Sequence, residues 1–163
     1  MHHLLLLMAG LLGAADLIPA TPAEQQVVFA GLAEKTHIAK QALDDEGNIV
    51  WVCFNHMNGY AKERPGAPGL GDADLERIRH FHRLRGITLQ GQPLSDAGYA
   101  ILADFPDLEV AGLPNPATSP GRPKDLPRIC TPDFIRPLDA CRKLRVLDLT
   151  HTFGLDRIPL DEL

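Results

Sequence analysis

The chain has 163 residues, a length typical of one domain, and 45% of them are hydrophobic. Its formal charge of −5 and its lack of basic runs argue against a nucleic-acid ligand, because phosphate binding needs clustered Lys and Arg. The short motifs of phosphate-binding loops, nucleophile elbows and zinc-binding helices are absent from the sequence. We therefore expect that the protein is not an enzyme and that it binds no cofactor and no metal.

An apolar run, "LLLLMAGLLGAA", begins the chain after "MHH". It is too short to span a bilayer, and small residues stand at Gly13 and Ala15, the positions that a signal peptidase recognises. We predict a signal peptide over residues 1–15, although its first residues include no Lys or Arg. The mature protein would then be periplasmic, cell-surface or secreted, without stable membrane insertion. An uncleaved N-terminal membrane anchor is the alternative.

Residues 16–48 are predicted to form an N-terminal cap of a helix and a strand. Thr21, Pro22 and Glu24 match a capping box with proline at the first helical position, so a helix should begin there and run to about Lys35. The following segment, "HIAKQALDDEGNIVWVCFNHM", alternates around the turn residues "DDEG" and predicts two strands.

The centre of the chain is internally repeated. The segment Gly71–Gly91 matches Ser95–Asn115 at an offset of 24 residues, with identity at five of eight key positions. The matched pairs are Asp72/Asp96, Ala73/Ala97, Leu75/Tyr99, Ile78/Leu102, Phe81/Phe105, Leu84/Leu108, Ile87/Ala111 and Leu89/Leu113. A third copy follows 36 residues later, at Leu138, Cys141, Leu144, Leu147 and Leu149. A fainter one precedes them, at Ile49, Val52 and Phe54. Such self-similarity indicates a solenoid.

Each unit predicts a helix followed by a short strand. Asp72, Asp96 and Thr131 are the expected N-caps of helices of about three turns, with Pro132 following the last of them. The L-x-x-L-x-L pattern then turns the chain into a strand whose alternate side chains point inward. One unit cannot bury both apolar sides alone, so the units should stack in an α/β fold with parallel strands.

The stretches "LRGITLQGQPLSDAG", "PDLEVAGL" and "RKLRVLDLTHT" resemble leucine-rich repeats, in the form found in exported proteins of planctomycetes. The resemblance implies a short solenoid with a parallel strand face and a helix face. It covers residues 49–150 in about four units, with an insertion at 114–131 that we expect as an exposed loop. It implies no particular chemical activity.

The repeat frame assigns the outward strand positions, which we expect to bind a protein or a cell-surface glycan. They are Trp51, Cys53, Asn55, Thr88, Gln90, Val110, Val146, Asp148 and Thr150. Gly86, Gly112 and Pro114 complete the outward set. Trp51 is the only Trp of the chain and would be an interface anchor. Alternatively, it packs beneath the N-terminal helix.

Residues 151–163 leave the repeat register and are predicted to be an irregular C-terminal cap or a truncated repeat. Leu155, Ile158, Leu160 and Leu163 would fold back as a lid over the last unit. The alternatives are a longer array, or an open edge that pairs with another molecule. Pairing with a second copy would give a structural, self-assembling homo-oligomer.

The cysteines and histidines give weaker signals. Cys141 takes the frame position of a buried Phe. A bridge from it to Cys130 is conceivable only if the loop folds back, because a helix of about three turns would hold the two cysteines about 15 Å apart. Cys53, predicted outward, is a conceivable nucleophile. His56 and His151 each follow a predicted strand, and we expect both to be solvated polar residues rather than metal ligands.

Overall fold

A computed structural model describes residues 20–56, 61–113 and 132–149. Several predictions lie outside them: the signal peptide over 1–15, the insertion at 114–131 with Thr131 and Cys130, Thr150, and the segment 151–163. Among the described residues, no helix has both the length and the apolar character needed to cross a bilayer. Export therefore stays a prediction.

The described chain is α/β, as predicted, and centres on one five-stranded sheet in the order β1-β2-β3-β4-β5. The strands are β1 Ile38–Leu43, β2 Ile49–Asn55, β3 Gly86–Gln90, β4 Val110–Gly112 and β5 Val146–Asp148. The α-helices are α1 Pro22–Ala33, α2 Asp72–Leu75 and α3 Asp96–Tyr99. Three 3₁₀ helices span Glu76–His80, Ala100–Asp104 and Pro132–Ala140.

Helix α1 begins at the predicted capping box. The Thr21 hydroxyl accepts a hydrogen bond from the Glu24 amide at 3.3 Å, and the Glu24 carboxylate accepts one from the Thr21 amide at 2.7 Å. These bonds satisfy amides that have no partner inside the helix. The Thr21 amide, and secondly the Thr21 hydroxyl, donate hydrogen bonds to the Glu24 carboxylate, and these two bonds lower the pKa of the Glu24 carboxyl group. The helix ends at Ala33, slightly before the predicted Lys35.

The predicted hairpin is confirmed, with β1 antiparallel to β2. The Asp44 carboxylate holds the turn by accepting hydrogen bonds from the Asn48 amide at 2.8 Å and the Glu46 amide at 3.0 Å. Gly47 has φ of +84°, a conformation that favours glycine. The hairpin thus extends the sheet by one antiparallel strand at the N-terminal side.

The other four strands are parallel, and their register follows the sequence repeat. Trp51 pairs with Gly86, Gly86 with Val110, and Val110 with Val146. The last two pairs have the offsets of 24 and 36 residues found in the sequence, and the first has the offset of 35 at which the fainter copy precedes the repeat. Residues in equal frame positions therefore lie side by side across the sheet, as predicted.

The helical segments have the predicted length but different caps and geometry. The N-caps of α2 and α3 are Gly71 and Ser95, not Asp72 and Asp96, so that prediction was wrong by one residue. The Asp72 carboxylate instead accepts hydrogen bonds from the Ser95 amide, at 2.9 Å, and from the Ser95 hydroxyl. The Asp72 carboxylate thus joins two units and does not cap its own helix. Helices α2 and α3 each continue directly as a 3₁₀ helix.

The core lies between the helices and the inner side of the sheet, and two buried glutamines join its parts. Gln25 of α1 accepts a hydrogen bond from the Ile49 amide at 2.7 Å, which ties the helix to β2. Gln92 donates to the Phe54 carbonyl at 3.0 Å and accepts from the Leu70 amide at 2.7 Å. Both side chains are fully buried, and these bonds offset the cost of removing amides from water.

Candidate functional site

The outward side of the sheet, which we call the strand face, carries the predicted binding residues. Strand alternation separates it from the inner side, where Val52, Phe54, Ile87 and Leu89 are fully buried. The strand face comprises Ile38, Lys40, Ala42, Trp51, Cys53, Asn55, Gly86, Thr88, Gln90, Val110, Gly112, Val146 and Asp148. Eight of the nine predicted binding residues therefore lie on this face, and Thr150 is outside the described chain.

One row of the strand face is apolar from edge to edge. In register, it runs through Ala42, Trp51, Gly86, Val110 and Val146. The Trp51 indole lies over Gly86, because a Cβ atom placed on that glycine would be 2.3 Å from the Trp51 Cδ1. At the far end, Val146 is 50% exposed. This row thus presents apolar groups to solvent from both sides of Gly86.

The alternative position for Trp51, beneath the N-terminal helix, is wrong. Helix α1 covers the inner side of the sheet, where the Phe29 ring lies 5.6 Å from that of Phe54 and the Gln41 amide donates to Gln26 at 2.6 Å. Trp51 alternates with buried Val52 and so points to the opposite side. Its indole remains partly exposed and free to contact a partner.

A second row is polar and includes Lys40, Cys53, Thr88, Gly112 and Asp148. Burial raises the pKa of the Cys53 thiol, and the nearby Lys40 ammonium offsets this only in part. Cys53 therefore lacks the lowered pKa that is typical of a nucleophilic cysteine.

A third row contains a pair of side-chain amides. Asn55 donates a hydrogen bond to the Gln90 Oε1 at 2.5 Å. Asn55 is only 7% exposed, so it is less accessible to a partner than we expected of a binding residue. We infer that its main contribution is to orient Gln90, which remains partly exposed beside it.

Cys141 is buried, as its frame position predicted, and carries a free thiol. Its Sγ lies 3.4 Å from the Leu102 carbonyl oxygen, a weak hydrogen bond to the preceding unit. Burial raises the pKa of this thiol. A structural role follows, because a buried neutral thiol packs as a small apolar side chain.

The sequence did not predict the contact between His37 and His56. Their rings stack with centroids 4.2 Å apart, because His37 precedes β1 and His56 follows β2, opposite each other across the antiparallel pair. Burial, and secondly the neighbouring His37, lower the pKa of His56. The predicted hairpin could have indicated this contact, because antiparallel pairing of β1 with β2 places His37 and His56 opposite each other.

Charged residues surround the amino ends of the parallel strands, beside a cleft of about 380 Å³. Arg85 contacts Glu109 at 2.7 Å, Lys143 contacts Asp107 at 2.8 Å, and Arg83 contacts Asp44 at 3.1 Å. The positions directly before β3, β4 and β5 alternate in sign and are occupied by Arg85, Glu109 and Arg145; we call these three residues the charge row. Neighbouring units thus meet through complementary charges.

Across residues 20–56, 61–113 and 132–149, no three or more His, Cys, Asp or Glu side chains are grouped so as to hold a metal ion. No protein-family model, curated protein or solved structure matches the chain.

Proposed function

We propose that the chain is a noncatalytic leucine-rich-repeat module that binds a protein partner through its strand face. The observation that carries this proposal is the apolar row across the sheet, in which the partly exposed indole of Trp51 on β2 is the largest side chain. Export, predicted from residues 1–15, would place the partner outside the cytoplasm.

Equal environments at equal frame positions of the units that contain β3 and β4 support the repeat. Leu84 and Leu108 are both buried, with exposed fractions of 1% and 0%. Their amides donate to the carbonyls of Phe81 and Phe105 at 2.9 and 3.0 Å, and the Leu144 amide donates likewise to Cys141 at 3.0 Å. Such recurrence of the same local bonds, one unit after another, is typical of a solenoid.

The extent of the strand face supports a protein as the ligand. Neighbouring strands lie about 4.8 Å apart, so the distance from β2 to β5 is about 14 Å, which suits a broad contact better than an enclosed small-molecule site. Trp51 supplies the aromatic anchor that such interfaces favour, and Thr88 and Gln90 supply hydrogen-bonding groups on the same face.

Affinity capture with matched variants tests the proposal. The full chain would be used as bait in the envelope fraction of its source cells, alongside Trp51→Ala and Val110→Ser. Val27→Ser is the control, because Val27 is 72% exposed on α1, on the opposite side of the sheet. We expect a captured protein that the control retains and that Trp51→Ala loses by about tenfold, as for an interface hot spot.

Two results would contradict this function. In the first, every captured protein is retained equally by Trp51→Ala and by the control. In the second, capture depends on Trp51 but is abolished by enzymatic removal of glycans, which would assign a carbohydrate ligand to the same face. Circular dichroism of each variant would verify that the fold is unchanged.

A further inference from the structure

Four short connections meet at the amino ends of the parallel strands, and together we call them the rim. They are residues 44–46, in the turn between β1 and β2, and residues 82–85, 107–109 and 142–145, directly before β3, β4 and β5. All four contribute side chains to the cleft of about 380 Å³, so they lie on one surface. Each connection lies inside a described range, whereas residues 57–60, 114–131 and 150–163 lie beyond the carboxyl ends of β2, β4 and β5.

The rim includes the charge row, and the sign of its charges alternates from one connection to the next. Residues 44–46 have three carboxylates, 82–85 two arginines, 107–109 two carboxylates and 142–145 three basic side chains, with histidine counted as neutral. Neighbouring connections are joined by the ion pairs Arg83–Asp44, Arg83–Glu46, Arg85–Glu109 and Lys143–Asp107. Counted from its two ends, the series therefore has the same numbers of charges with opposite signs.

The two outermost connections keep charges that these ion pairs do not use. Asp45 at one end, and Arg142 and Arg145 at the other, are exposed, and none of the three forms an ion pair among the described residues. The rim thus presents an unpaired carboxylate at one end and unpaired cations at the other, about 14 Å away across three strand spacings.

We propose that the rim is the contact surface of a dimer of this chain, formed about a twofold axis that crosses the rim between residues 82–85 and 107–109. The axis reverses the order of the connections, so each group of charges faces an equal number of the opposite sign in the second copy. Asp45 then lies against Arg142 and Arg145 of the second copy, and the reciprocal contact forms as well. A twofold axis along the rim would keep the order and place like charges together, so the sign pattern selects the first arrangement.

The proposed dimer is weak and sensitive to salt. Exposed ion pairs each contribute little, and salt shortens the range over which they act from about 10 Å at 0.1 M to about 3 Å at 1 M. Sedimentation of the full chain should therefore show a concentration-dependent dimer at about 20 mM salt and a monomer at about 500 mM salt. The rim is separate from the strand face, so this proposal does not depend on the function proposed above.

Charge reversal at the two ends of the rim tests the twofold arrangement. Asp45→Arg and Arg145→Asp should each weaken self-association by about tenfold, because the axis creates two like-charge contacts in every dimer. An equimolar mixture of the two variants should associate again, since each reversed charge then faces an opposite charge in the other copy.

Glu34→Arg is the matched control, because it changes the net charge as much as Asp45→Arg does. Glu34 is exposed at the carboxyl end of α1, whereas the hairpin turn lies near the start of that helix, where Pro22 packs close to Gly47. Self-association of this variant should equal that of the unaltered chain, and circular dichroism would verify the fold of each variant.

Three results would overturn the proposal. One is a monomer in low salt at every protein concentration up to about 1 mM. Another is a dimer that neither salt nor Asp45→Arg weakens, which would assign the contact to another surface, such as the C-terminal edge. The last is a mixture of the two variants that associates no more tightly than either variant alone.

Discussion

Strands β3 and β5 follow the same sequence frame but lie in different surroundings. β3 has a paired strand on each side, whereas β5 has only β4 among the described residues. Ile87 of β3 is fully buried, and Leu147, its frame equivalent on β5, is 37% exposed. The difference indicates that the neighbouring units, rather than the residue type, determine how far an apolar side chain of this chain is buried and hence how much it contributes to stability.

The largest expected effect is a contrast between two truncations in equal frame positions. Ile87→Ala should cost about 3 kcal/mol of unfolding free energy, because it leaves a cavity in a fully enclosed site. Leu147→Ala should cost about 1 kcal/mol, since water and local relaxation already reach this position. Urea denaturation of the full chain measures both values.

The exposed Val27→Ala on α1 provides the baseline for this contrast and should change stability by no more than about 0.5 kcal/mol. Equal costs for Ile87→Ala and Leu147→Ala would break the comparison. They would mean that β5 is enclosed in solution to the same degree as β3.

Acidification should weaken the β1–β2 side of the sheet before the β5 side. The folded-state pKa of His56 lies below its ordinary value of 6.5, because burial and then His37 oppose its protonation. The unfolded chain therefore binds more protons, so stability is full above about pH 6.5 and falls as the pH drops below it. The loss stops growing below the folded-state pKa.

Hydrogen exchange between pH 7.5 and 5.5, corrected for intrinsic rates, would locate this weakening. Protection should fall most in β1 and β2, and His56→Gln should remove much of the pH dependence. His80→Gln, at an exposed position, is the control. An acid-induced loss that begins at β5, or one that persists unchanged in His56→Gln, would contradict the assignment.

The smallest effect concerns the ion pair that joins the last two units. Lys143 and Asp107 lie 2.8 Å apart, with side chains 60% and 64% exposed. A double-mutant cycle with alanine should give a coupling of about 0.5 kcal/mol or less, which declines as salt screens the charges. A coupling above about 1.5 kcal/mol would show that this end is more tightly held than its exposure indicates.

The strand register could be predicted from the sequence because it follows from local periodicity. The offset between Leu84 and Leu108 fixes the pairing of Gly86 with Val110, and the same frame places Trp51 on the strand face. The capping box at Thr21 and the turn at Asp44 could also be predicted from the sequence, since each involves residues only a few positions apart.

What the sequence did not predict depends on contacts between distant residues. Nothing local distinguishes Gln92 from a solvated glutamine, yet it bonds to Phe54 and Leu70 inside the core. The local sequence predicts Asp72 as the N-cap of its own helix, whereas its carboxylate accepts a hydrogen bond from the Ser95 amide in the next unit. Such roles follow from the stacking of units and become visible only once neighbouring units are in place.

The indole of Trp51 occupies the space above Gly86, and Thr88 leans in the same way over Gly112, 3.0 Å from where a Cβ atom would stand. The units of β2 and β3 thus each depend on a glycine in the unit that follows, so these units are not interchangeable. A duplicate of the unit containing β4, spliced in directly after β2, would put valine under the indole and force the ring to move. Lengthening this array by recombination therefore requires glycine at the receiving position.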